Sequence, residues 1–68
     1  MSPQIRMIND IAVQFQHQAP DAAAAAIAEH IRAFWDPRMR AELMRRVDSE
    51  PEMLDPIALA AARLLTTG

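Results

Sequence analysis

Apolar residues return every three or four positions along most of this chain, and prolines cut that periodicity into four segments. In the first, about residues 3–18, Ile5, Ile8, Ala12 and Phe15 recur at helical spacing; Ser2 is placed to cap and Pro3 suits the first helical position. On a helical projection Met7, Ile11, Phe15, Ile8, Ala12 and Ile5 fill an arc of about 160°, which predicts contact with two neighbouring surfaces rather than one. The second segment, about 21–35 and opening at Pro20 or Asp21, begins with the strong helix formers Ala22 to Ala26. Ile27, Ile31, Phe34 and Trp35 follow on one stripe of about 100°. Small side chains let a neighbouring backbone come close, so the alanine run predicts tight helix packing.

Two Asp-Pro pairs punctuate the rest. Residues before proline avoid helical dihedrals, while an Asp side chain caps the helix that proline opens. Asp36-Pro37 therefore starts a third helix, about 37–47, and Asp55-Pro56 a fourth, about 56–65, with Leu54 and Leu59 at the two positions of a hydrophobic staple. Between them Asp48 to Glu52 reads as a loop. Charges follow the helix dipoles, with Asp21, Asp36 and Asp55 at starts and Arg32, Arg45, Arg46 and Arg63 toward ends. The expected fold is all-α, a single helical domain over residues 1–68. It is a small bundle of three main helices plus a shorter fourth, with Ile8, Phe15, Ile27, Ile31, Leu43 and Leu64 in one core.

Composition sharpens this picture. The 68 residues are 51% hydrophobic and 4% aromatic, too apolar for a disordered chain and too poor in sheet-forming residues for a β fold. Area scaling gives about 11,000 Å² exposed when unfolded and about 4,300 Å² when folded, a marginal core that a partner surface would supplement. With no Cys there is no thiol nucleophile, iron–sulfur ligand or Cys-based zinc site. The longest apolar run, Ala22 to Ala28, is far short of a membrane span, and no basic region with a greasy core opens the chain, so a cytoplasmic location is expected. A net charge of −2 without a single Lys gives no bulk affinity for nucleic acid or anionic lipid.

Candidate chemistry is sparse. The hydroxyls Ser2, Ser49, Thr66 and Thr67 fall at caps, loops or the tail, none near a histidine in sequence. Pro20 interrupts the spacing of His17 and Asp21, and Glu29 and His30 diverge on a helix. No catalytic, cofactor-binding or metal site is expected in this chain. The informative stretch is Phe34 to Arg40, which packs the one Trp, a capping turn and two arginines together. Trp35, Asp36, Pro37, Arg38, Met39 and Arg40 are the candidate partner-binding residues, since Trp and Arg are enriched at interface hot spots. Arg40 falls inside the apolar arc of its helix, where its permanent charge must snorkel out or meet a carboxylate, intrachain or a partner's. Arg38, Arg45 and Arg46 read equally as solvated intrachain pairs. A helix–turn–helix nucleic-acid binder would place them on phosphates, against the acidic balance of the chain.

At this motif the sequence resembles a known family, the small delta subunit of soluble, NAD-dependent, molybdenum-containing formate dehydrogenases. The likeness is most specific from Ile27 through Phe34-Trp35-Asp36-Pro37-Arg38-Met39-Arg40, and extends to Arg6 to Ala12 and Leu54 to Ile57. Gln14-Phe15 departs from the family's paired aromatics, and the loop before Leu54 lacks glycine. The resemblance implies a non-catalytic accessory subunit of a hetero-oligomer. Its large (alpha) subunit would hold the molybdopterin cofactor and iron–sulfur clusters, and other subunits would pass electrons to FMN and NAD. A transient assembly chaperone for the same enzyme would share every one of these sequence features.

Overall fold

The computed structural model describes residues 3–67. They form α1 (Pro3–Phe15), α2 (Pro20–Phe34), α3 (Pro37–Ser49) and α4 (Pro56–Thr67), with a 3-10 turn at Pro51–Met53 between the last two. This is the all-α bundle expected, and α4, at 12 residues, is its shortest helix. All five prolines open an element, where the ring's fixed φ suits the first turn and the missing N–H would have had no helical partner. The expected Ser2 cap lies outside the described residues.

Caps fix the restarts. The Asp36 carboxylate accepts the Met39 N–H at 2.8 Å, and the Asp55 carboxylate accepts the Ile57 N–H at 2.9 Å. Leu54 is buried and Leu59 packs partly buried on the core, as the staple requires. Several boundaries move from their expected positions. α1 stops at Phe15 rather than near residue 18, because Gln16 and Gln18 donate back three residues, to Val13 and Phe15, and tighten the chain into a turn before Pro20. α3 runs two residues further, to Ser49, and ends where Pro51 holds Glu50 out of helical geometry. The supposed loop then becomes a turn that Pro51 itself starts.

The core runs through all four helices: Ile5 and Ile8 from α1, Ile27 and Ile31 from α2, Leu43 from α3, and Ala58, Ala61 and Ala62 from α4. α2 packs most extensively against α4, and both helices bury alanines: Ala23, Ala24 and Ala28 on α2, and Ala58, Ala61 and Ala62 on α4. α1 lies against three helices, one more than its wide apolar arc predicts. Leu64 is a correction: it is 38% exposed, and Leu65 packs on the core instead. With Ala58 at 0° on a helical projection, Leu65 falls near −20° between Ala61 and Ala62, and Leu64 at about −120°, off the buried arc. Phe15 contributes only partly buried area.

Candidate functional site

Among the described residues no polar or charged residue is fully buried, so the polar side chains they offer to a site lie at the surface. The stretch singled out in the sequence sits at the corner between α2 and α3, and the structure divides it. Trp35 leaves α2 as its extended C-cap, φ −91° and ψ 138°, donates its N–H to the Ile31 carbonyl and turns its indole into the core, where it is 6% exposed. It therefore offers no exposed apolar area, contrary to its place among the partner-facing residues. Phe34, expected on the buried stripe, is the exposed aromatic at 75% and lies against the His30 ring, 4.8 Å between centroids. A helical projection cannot foresee this exchange, because Trp35 is no longer in the helix.

Asp36 and Pro37 make the capped start of α3. Two residues apart on one helix point about 200° apart, so Arg38 and Arg40 do not share a surface. Arg38 lines a shallow groove toward the start of α1, with Pro3, Gln4 and Met39. Arg40 lines a different groove of about 510 Å³, closed by Arg32 of α2, by Pro37, Ala41 and Met44 of α3, and by Leu65 and Thr66 of α4. Ala41, Met44, Leu65 and Arg32 were not among the residues selected from sequence. Pro37 and Met44 stand at i−3 and i+4 from Arg40, a spacing that does mark its helical face, whereas Arg32 and Leu65 come from elsewhere in the chain.

The arginines differ in what holds them. Arg45 donates from Nε to Glu42 at 2.9 Å, and Arg46 reaches Glu42 at 3.3 Å and Glu50 at 3.1 Å. The Arg45 hydrogen bond holds the Glu42 carboxyl below the usual glutamate range; the charges of Arg45 and Arg46 act in the same direction and partial burial opposes them. Arg32 bonds Glu29 at 3.1 Å and donates to the Leu64 carbonyl at 3.1 Å, tying α2 to α4. Arg40 is partly buried, its Nε is shut off from solvent, and that Nε finds no acceptor among the described residues. Of the outcomes expected for Arg40, an intrachain carboxylate is not met among them.

The histidines remain separate from any donor set. His17 lies in the turn after α1 and His30 on the exposed side of α2. Among the described residues no three of His, Cys, Asp or Glu gather to hold a metal ion, and no helix is long and apolar enough to cross a membrane.

No curated protein sequence and no solved structure matches this chain. The profile of the NADH-dependent formate dehydrogenase delta subunit FdsD matches residues 4–62, from the first turn of α1 past the capped α2–α3 corner and into α4, and the chain belongs to that family.

Proposed function

We propose that this chain is a non-catalytic accessory subunit of a cytoplasmic, NAD-dependent formate dehydrogenase, stabilising or helping to assemble the large, molybdopterin-bearing subunit. The observation that supports this most directly is the family match, which spans α1, α2, α3 and the first half of α4. A delta subunit belongs to a hetero-oligomer, and the remaining question is what it contributes there. The chain's side chains suit docking better than chemistry. With no Cys, and no gathered donors among the described residues, they do not fit an iron–sulfur cluster or a molybdenum ion. Ligands for those groups, and sites for FMN and NAD, belong to other subunits in this proposal.

The docking residues proposed are those the α2–α3 corner leaves accessible: Asp36, Pro37, Arg38, Met39 and Arg40, with Trp35 as the buried prop beneath them. Arg45 and Arg46, which a nucleic-acid binder would place on phosphates, are engaged by Glu42 and Glu50. The test is capture of the tagged full chain from its native cell with identification of stoichiometric partners. Recovery of the molybdopterin-bearing subunit at a fixed ratio in the active enzyme is the expected result. A chain found only on immature enzyme would be an assembly chaperone, and one that joins no formate dehydrogenase subunit would refute the proposal.

A further inference from the structure

We infer that the groove between the ends of α2 and α4 and the first half of α3 is a socket for one carboxylate side chain of a partner subunit, anchored by Arg40. This rests on the accessory-subunit proposal and adds the chemistry of the contact. The groove holds about 510 Å³, and none of the residues lining it is acidic. Arg32, Arg45 and Arg46 each reach an intrachain carboxylate, whereas Arg40 reaches none among the described residues. The Nε of Arg46 is equally enclosed, but its two Nη atoms are bonded to glutamates. No glutamate among the described residues bonds the Nη atoms of Arg40.

The charge of a guanidinium cannot be shed inside a protein, and its planar fork matches a carboxylate with two parallel hydrogen bonds. Pro37, Ala41, Met44 and Leu65 give the groove apolar walls, which shed water when a partner covers them and so strengthen a pair formed between them. Arg32, already tied to Glu29 and to the Leu64 carbonyl, adds a second positive charge without needing a further acceptor. The fitting occupant is an Asp or Glu flanked by apolar residues. A phosphate backbone would require several free cations on one face, but Arg45 and Arg46 are paired and Arg38 points about 200° away from Arg40.

The test compares the full-length wild-type chain with Arg40→Ala, Arg40→Lys and, as an exposed residue away from the groove lining, Arg63→Ala. Each is co-expressed with the other enzyme subunits, and retention in the purified complex is measured as salt is raised. Wild type and Arg63→Ala should stay stoichiometric, while both Arg40 variants lose affinity by about 30-fold or more, since Lys cannot form the bidentate fork. Arg40→Lys keeps the charge and most of the stem, and circular dichroism of both variants checks that the helices persist.

Benzoylphenylalanine in place of the exposed Ala41 should then cross-link to a partner segment containing Asp or Glu. Neutralising that acid should reproduce the Arg40→Ala loss and add nothing to it. Retention of folded Arg40→Ala at the wild-type level, a cross-linked segment without an acid, or duplex-DNA binding that Arg40→Ala abolishes would each overturn the socket. Failure of the wild-type chain to join any formate dehydrogenase subunit would instead bring down the accessory-subunit proposal on which it rests.

Discussion

Asn9 shows how much one side chain can hold. From α1 its amide donates to the Met53 carbonyl at 3.0 Å and accepts the Asp55 N–H at 2.9 Å, so it clasps both sides of the junction between the 3-10 turn and α4. Those backbone groups lie more than forty residues away in sequence, so no local spacing marks Asn9. Asp36 and Asp55 stand in contrast, because a cap and its amide are neighbours and the Asp-Pro pair announces both. Asn9→Ala should cost about 1–2 kcal/mol through two lost hydrogen bonds, read as a drop in the thermal midpoint of the purified chain. Asp36→Ala should cost about 1 kcal/mol and Asp36→Asn much less, since the amide oxygen still accepts the Met39 N–H. Equal losses for the Ala and Asn variants would show that charge near the α3 dipole, not the cap, carries the effect.

At the scale of elements, helix starts were more legible than helix ends, although α2 ends at Phe34 with Trp35 as its C-cap, within a residue of its expected bound. Proline and aspartate mark a start by fixing φ and supplying an acceptor, whereas an end depends on how far the chain can continue before a neighbour or a proline stops it. α3 continues to Ser49, where the Ser49 hydroxyl bonds the Arg45 carbonyl and Glu50 pairs with Arg46. The ion pairs along α3 predict an acid-dependent term. Because the carboxyl of Glu42 titrates lower in the folded chain than in the unfolded one, its contribution is present above the ordinary glutamate range. It fades as pH falls through the lowered value. The thermal-stability gap between wild type and Glu42→Gln should therefore close on acidification, and a gap constant with pH would refute this.

The α2–α4 contact makes a separate demand on side-chain size. Ala61 on α4 is fully buried, so Ala61→Leu should overpack its surroundings by about 1–3 kcal/mol, while Ala25→Leu at an exposed position on α2 stays within about 0.5 kcal/mol. Urea midpoints of the two variants separate these outcomes.

For the whole molecule, the bundle and most of its core could be read from the chain, because isoleucine periodicity and alanine content are local signals that burial then uses. Ile8, Ile27, Ile31 and Leu43 are buried as the stripes predict. The candidate site was less legible. The groove is made where the ends of α2 and α4 meet the first half of α3, and the sequence shows only one wall of it, the face of α3 carrying Pro37, Arg40 and Met44. The folded chain exposes 4315 Å², matching the area expected of a compact monomer of its mass. Its core is nonetheless small. Domains below about 70–80 residues rarely draw more than about 3–5 kcal/mol from a single core, and no disulfide supplements this one. Ile31→Ala, at a fully buried position, should cost about 2–5 kcal/mol, comparable to the whole stability of the isolated chain. A partner that binds only the folded form restores stability by mass action, about 2.7 kcal/mol at a hundredfold excess over Kd. The purified Ile31→Ala chain should thus lose most of its helical circular dichroism at room temperature, yet be recovered folded when co-expressed with the subunits it binds. A variant that stays fully helical alone would mean that the isolated core is sufficient, and that stability gained from the partner is not what this small bundle depends on.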